Sequence, residues 1–156
     1  ALACKKVGEK NTSETLQNLV FGSYNKRVEH PRTEYDWLTR DAKEVDAYIA
    51  HPSCGFMATT GLLRDMLTGI QFIERKENLA KMNKDLPVLF IAGGDDPVGA
   101  YGKGVLRAVE EFRKAGMKDV EKRIFPLGRH EILNEINRQE IYEFTSNWMD
   151  RQVEKK

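Results

Sequence analysis

Apolar residues recur along this chain with two different periods. The unbroken run Leu86-Pro87-Val88-Leu89-Phe90-Ile91-Ala92 is followed at once by Gly93-Gly94-Asp95-Asp96. That is the pattern of a parallel strand covered on both faces, with a carboxyl end that opens into a crevice. Pro87 fits near its start, where a missing amide hydrogen is tolerated. Val105, Ala108, Val109 and Phe112 then share one helical stripe, which Gly116 stops, and Glu121 to Phe125 reads as a second, shorter strand. Ile141, Phe144, Trp148 and Met149 predict a C-terminal amphipathic helix, begun by Asn137 with Glu140 three residues later.

The first half is more irregular. Leu16, Leu19 and Val20 predict a short helix from about Thr12 that Ser13 can cap, and Phe21-Gly22-Ser23-Tyr24-Asn25-Lys26-Arg27 breaks it. A polar, aromatic-bearing stretch runs on through Pro31 to Asp36. Ala42, Val45 and Ile49 restore helical spacing after Asp41, with Glu44 placed for a capping box, until His51-Pro52 ends it. Leu63, Met66, Leu67, Ile70 and Ile73 then predict a helix capped by Thr59 or Thr60 whose apolar face packs on a core. No entry element is expected over Ala1 to Lys10. Helix and strand alternate in the second half, which implies a parallel sheet with helices on its faces. Two strands make no free-standing sheet, so further strands are expected from elsewhere.

Length and charge narrow the function. The 156 residues suit one domain, and 25 Lys+Arg against 24 Asp+Glu leave no global field for nucleic acid or an anionic membrane. No run of 18 apolar residues and no signal-peptide pattern occurs, so a cytoplasmic location is expected. Cys4 and Cys54 lack disulfide-framework or metal-ligand spacing and read as structural thiols. Chemistry is expected at the strand ends. Asp96 alone can be a helix cap and His130 alone a surface residue, but they lie 34 positions apart at the ends of consecutive predicted strands. That spacing holds one crossover helix, one strand and a loop, so both can reach the same sheet edge. In acid-then-histidine order they match the second and third members of a Ser-Asp-His triad.

The run from Leu86 to Gly99, Tyr101-Gly102-Lys103-Gly104, and Gly128-Arg129-His130-Glu131-Ile132-Leu133-Asn134-Glu135 together resemble the C-terminal half of microbial lysophospholipases and monoacylglycerol lipases. These belong to the serine-aminopeptidase-like branch of the α/β-hydrolases. Phe21 to Arg27, Arg32 to Asp41 and Cys54-Gly55-Phe56 resemble the cap of that group, so the likeness spans nearly the whole chain. It implies an α/β class and an incomplete α/β-hydrolase fold: the last two parallel strands with flanking helices, plus a helical, loop-rich lid. The lid would be residues 1–57 and the core part residues 58–156. Asp96 would be the triad acid and His130 the general base, with Phe21, Tyr24, Tyr35, Trp37 and Phe56 lining an acyl or leaving-group pocket. Gly94 and Asp95 stand where many relatives have an acid followed by a lysine.

The nucleophile departs further. The family needs Gly-x-Ser-x-Gly on a strand-to-helix turn, and these residues contain no such motif. His51-Pro52-Ser53-Cys54-Gly55 is the nearest, but it follows a predicted helix and lies in the cap. The expectation is a fragment of a serine carboxylic-ester hydrolase, inactive alone, that acts in its parent on a lipid-like ester without metal or cofactor. Its partner would be the missing N-terminal half, or another copy covering the open strand edge. The alternative is a non-catalytic binding or interaction module derived from the same fold; a complete small doubly wound domain lacks the strands. Zinc is not expected, because in His130-Glu131-Ile132-Leu133-Asn134 asparagine replaces the second ligand of His-Glu-x-x-His. Gly99, Gly102, Lys103 and Gly104 fit neither a P-loop nor a dinucleotide fingerprint. Tyr35 and Trp37 lack the basic groove that a nucleic-acid site needs.

Overall fold

A computed structural model describes residues 2–154. The chain opens with α1 (Leu2–Val7), which the apolar pattern does not announce, and α2 (Glu14–Phe21), where Ser13 Oγ accepts from the Leu16 amide at 3.4 Å. A 3-10 turn at Tyr24–Arg27 follows. Next come α3 (Ala42–Ala50), α4 (Thr60–Ile73) and the single turn α5 (Lys76–Leu79). Strand β1 (Val88–Gly93), helix α6 (Lys103–Lys114), strand β2 (Val120–Phe125) and helix α7 (Arg138–Glu154) complete the order, with a 3-10 turn at Ile132–Asn134. Among the described residues no helix is long and apolar enough to cross a membrane.

The two strands pair in parallel, from Val88 opposite Val120 to Gly93 opposite Phe125. Side-chain alternation then sorts their residues between two cores. Val88, Phe90 and Val120 pack with Val109, Phe112 and Met117 under α6, while Ile91 and Phe125 pack with Ile132, Ile141 and Phe144 under α7. Gly116 takes a φ of +92° just past α6, where a left-handed residue closes a helix. The result is a two-strand parallel sheet with α6 against one face and α7 against the other. Among the described residues β1 pairs only with β2, and Val88 to Ile91 remain half-buried.

Three local expectations need correction. Thr59 does cap α4, with its Oγ1 3.2 Å from the Leu62 amide, but the helix does not bury the predicted stripe. Leu63 is buried, whereas Met66, Leu67, Ile70 and Ile73 are 40% to 61% exposed, because α4 packs on the small helices α1 and α5 and leaves this face open. Glu44 does not close a capping box. It pairs with Arg138 at 3.3 Å, and the Asp41 amide donates to Thr39 Oγ1 instead. Asn137 stands before α7 and its Nδ2 donates to Glu140 Oε2 at 2.9 Å, but its Oδ1 accepts from Arg40 at 2.6 Å and so serves a tertiary contact rather than a helix amide.

Candidate active site

Sheet geometry delivers two side chains to one edge. β1 and β2 end level with each other at Gly93 and Phe125, and the loops that leave them carry Asp96 and His130. Their close approach depends on two glycines. A β-carbon on Gly93 would run into the carbonyl oxygens of Gly128 and Arg129, and one on Gly128 would meet the Ile132 side chain. With only hydrogens there, the Asp95 amide donates to the Gly128 carbonyl at 2.9 Å and joins the two loops. The acid loop turns tightly, with Ala100, Tyr101 and Gly102 all at positive φ.

Nδ1 of His130 lies 3.1 Å from Oδ1 of Asp96. The same oxygen accepts from the Val98 amide at 2.9 Å, so the carboxylate is oriented by its own loop. Asp96's side chain is 10% exposed and that of His130 37%. An acid sheltered behind a histidine open on one side suits a relay: with the proton on Nδ1, Nε2 presents a lone pair outward.

The cap-like segment supplies the wall. Trp37 lies 5.2 Å from the His130 ring, Tyr24 stacks edge-on against Trp37 at 4.8 Å, and Phe21 against Tyr24 at 5.6 Å. Burial, and secondarily the Asp96 carboxylate, push the Tyr24 phenol above its ordinary pKa. A cavity of about 370 Å³ opens beside this row, lined by Phe21, Tyr35, Trp37, Tyr48 and Phe56 among others. Four of the five aromatic residues singled out from the sequence therefore line one cavity, and the fifth, Tyr24, packs between Phe21 and Trp37. Ser53 is not part of the constellation; its amide donates to His51 Nδ1 at 3.2 Å in an exposed turn. Among the described residues no three His, Cys, Asp or Glu side chains are grouped to hold a metal ion.

Several polar residues of this region escape sequence reading. Arg40, Arg129 and Glu135 form a network around the residue before His130, with Arg40 Nε 2.8 Å from Glu135 Oε2; Glu135 is fully buried and the two arginines are half-buried. Arg27 lies over the Tyr101 ring at 3.5 Å, tying the 3-10 turn to the acid loop. Charged residues in polar runs read as solvated surface, so only three-dimensional neighbours reveal them.

A family model described as serine aminopeptidase, S33, matches residues 3–137. Among solved structures the chain is similar to a highly thermostable carboxyl esterase from Bacillus coagulans in complex with glycerol, with 26% identity and a TM-score of 0.84. The match covers 96% of this chain and 49% of that one. A lipase in an open form, 24% identical with a TM-score of 0.78 over the same shares, has the same fold. The chain thus spans about half the length of either structure. No curated protein matches it.

Proposed function

The chain belongs to the serine aminopeptidase S33 family of α/β-hydrolases, and on that premise we propose that it carries the acid–base half of a serine carboxylic-ester hydrolase. The observation that supports this most is the 3.1 Å contact between Asp96 and His130 at the ends of adjacent parallel strands. His130 Nε2 takes the proton of a serine hydroxyl as it attacks the ester carbonyl, then returns it to the leaving alcohol. Water repeats the cycle and frees the acid. Asp96 keeps the Nδ1–H tautomer and stabilises the imidazolium. The serine and the oxyanion-hole donors come from outside these 156 residues.

The substrate in this reading is a lipid-like ester of the lysophospholipid or monoacylglycerol kind. Phe21, Tyr24, Tyr35, Trp37 and Phe56 offer aromatic faces to its acyl chain or leaving group, and Gln17, Asn18, Asn25 and Glu34 in the same cavity lining offer polar groups to the rest of the ester. Residues 1–57 act as the cap and 58–156 as part of the core. The two are stitched by the Thr12–Thr59 bridge and by the Cys4 thiol donating to the Thr60 carbonyl at 3.3 Å.

The purified 156-residue chain is expected to leave p-nitrophenyl butyrate intact, because losing a triad member costs on the order of a million-fold in rate. Expressed with the coding sequence that precedes it in frame, the polypeptide should react with a fluorophosphonate probe at a serine outside these residues, and His130→Ala should abolish turnover. Hydrolysis by the chain alone that His130→Ala abolishes would overturn the division of labour proposed. The absence of Gly-x-Ser-x-Gly also favours a second reading, a binding module without chemistry. A longer polypeptide that remains unreactive toward the probe would select it.

A further inference from the structure

Glu135 is a carboxylate with no exposure at all, and its side chain ties the segment around His130 to Arg40. Oε1 accepts from the Arg129 amide at 2.7 Å and the Arg40 amide at 3.3 Å; Oε2 accepts from Arg40 Nε at 2.8 Å and the Ile136 amide at 3.3 Å. Arg40 is held in turn by Asn137 Oδ1 at 2.6 Å. The residue before His130 is thereby anchored through its amide. Its guanidinium donates to the carbonyls of Asp36 and Thr39 at 2.7 and 3.0 Å. The residue after it is anchored as well, since the Glu131 amide donates to the Leu38 carbonyl at 2.6 Å, and the His130 amide reaches the Trp37 carbonyl at 3.3 Å.

His130 itself lies in a loop, where no strand or helix ladder fixes its backbone. An ion pair with a fully buried carboxylate is a poor way to gain stability, because desolvating that charge offsets much of the attraction. What it does supply is direction: a carboxylate accepting four donors at set angles holds the chain on both sides of it in one arrangement. Geometry, more than stability, explains why it holds the residue before His130.

We infer that Arg40 and Glu135 are a positioning pair for His130, which locks the loop 128–136 onto segment 36–41 so that the ring stays on Trp37 and its Nδ1 on Asp96. Neither residue touches the reacting atoms. The inference rests on the reading of His130 as the general base, and it adds that the cap-like segment determines where the base points.

The chain contains three histidines, His30, His51 and His130, so ¹⁵N-histidine labelling of the full chain resolves the ring directly. At about pH 8.5, above the ordinary imidazole titration, the native chain should show His130 with its proton on Nδ1. In Arg40→Met and in Glu135→Gln this signature should be lost to a mixture of tautomers, with Glu131 amide exchange about tenfold faster as its bridge to Leu38 opens. His30 and His51 should not change. If Arg40→Met does not fold, Arg40→Lys carries the same test, since lysine keeps the charge but cannot reach Glu135 and Asn137 together. Retention of the Nδ1–H signature in folded variants with lowered thermal midpoints would make the pair merely structural and overturn the inference. Absence of that signature in the native chain would instead overturn the Asp96–His130 reading beneath it.

Discussion

At the scale of single residues the site rests on atoms that are absent as much as on those present. Gly93 faces the carbonyls of Gly128 and Arg129 closely enough that a methyl group cannot be placed without moving backbone. Gly93→Ala is therefore expected to cost about 3 kcal/mol, read from the urea midpoint, and to remove the Nδ1–H signature of His130. Asp36 is the other demanding position. Burial raises its carboxyl, but hydrogen bonds from the Thr33 hydroxyl and the Arg32 and Thr33 amides, with the Arg32 guanidinium nearby, outweigh this and hold it below the ordinary value of 3.8. A depressed folded pKa means that the unfolded chain takes the proton first. Asp36 thus contributes stability above the ordinary carboxylate range that fades as pH falls through its lowered value. Unfolding followed from pH 7 to pH 3 should show a drop that shrinks in Asp36→Asn; an identical slope in that variant would refute the assignment.

Elements form where local signals agree and change purpose where tertiary partners outbid them. Ser13, Asp41 and Thr59 cap their helices through side-chain oxygens, as short polar residues before an apolar periodic run should. Glu44 and Asn137 have the right spacing for similar work, but Arg138 and Arg40 offer charge-assisted bonds that a helix amide does not match. The predicted face of α4 is amphipathic in the sense the sequence suggests, yet an apolar stripe says only that something should cover it. In this chain the neighbours of α4 are α1 and α5, which are too small to do so.

For the whole molecule, the consequence is a surface with two unsatisfied features. One is the side of β1 that pairs with no strand among the described residues, and the other is the row Met66, Leu67, Ile70 and Ile73 on α4. Open strand edges and contiguous apolar patches promote association. The purified chain should self-associate in sedimentation velocity at concentrations from roughly 10 μM upward, and Leu67→Glu with Ile70→Glu should shift it toward monomer. A monodisperse monomer at roughly ten times that concentration would count against the incomplete-sheet reading.

By itself the sequence determined the parallel strand pair, the crossover helix and the acid and histidine at the strand ends, because strand runs, glycine stops and loop lengths are local properties of the chain. The resemblance of the first half to a hydrolase cap pointed to Phe21, Tyr24, Tyr35, Trp37 and Phe56, of which all but Tyr24 line one cavity. Tertiary structure alone decided that Trp37 faces His130, that Glu135 is buried with a half-buried Arg40 paired to it, and that among the described residues the Met66–Ile73 face of α4 stays open. The reason is physical. A buried charge and a solvated one have the same letter, and which of them a residue becomes depends on partners nearly a hundred positions away, as Arg40 and Glu135 do.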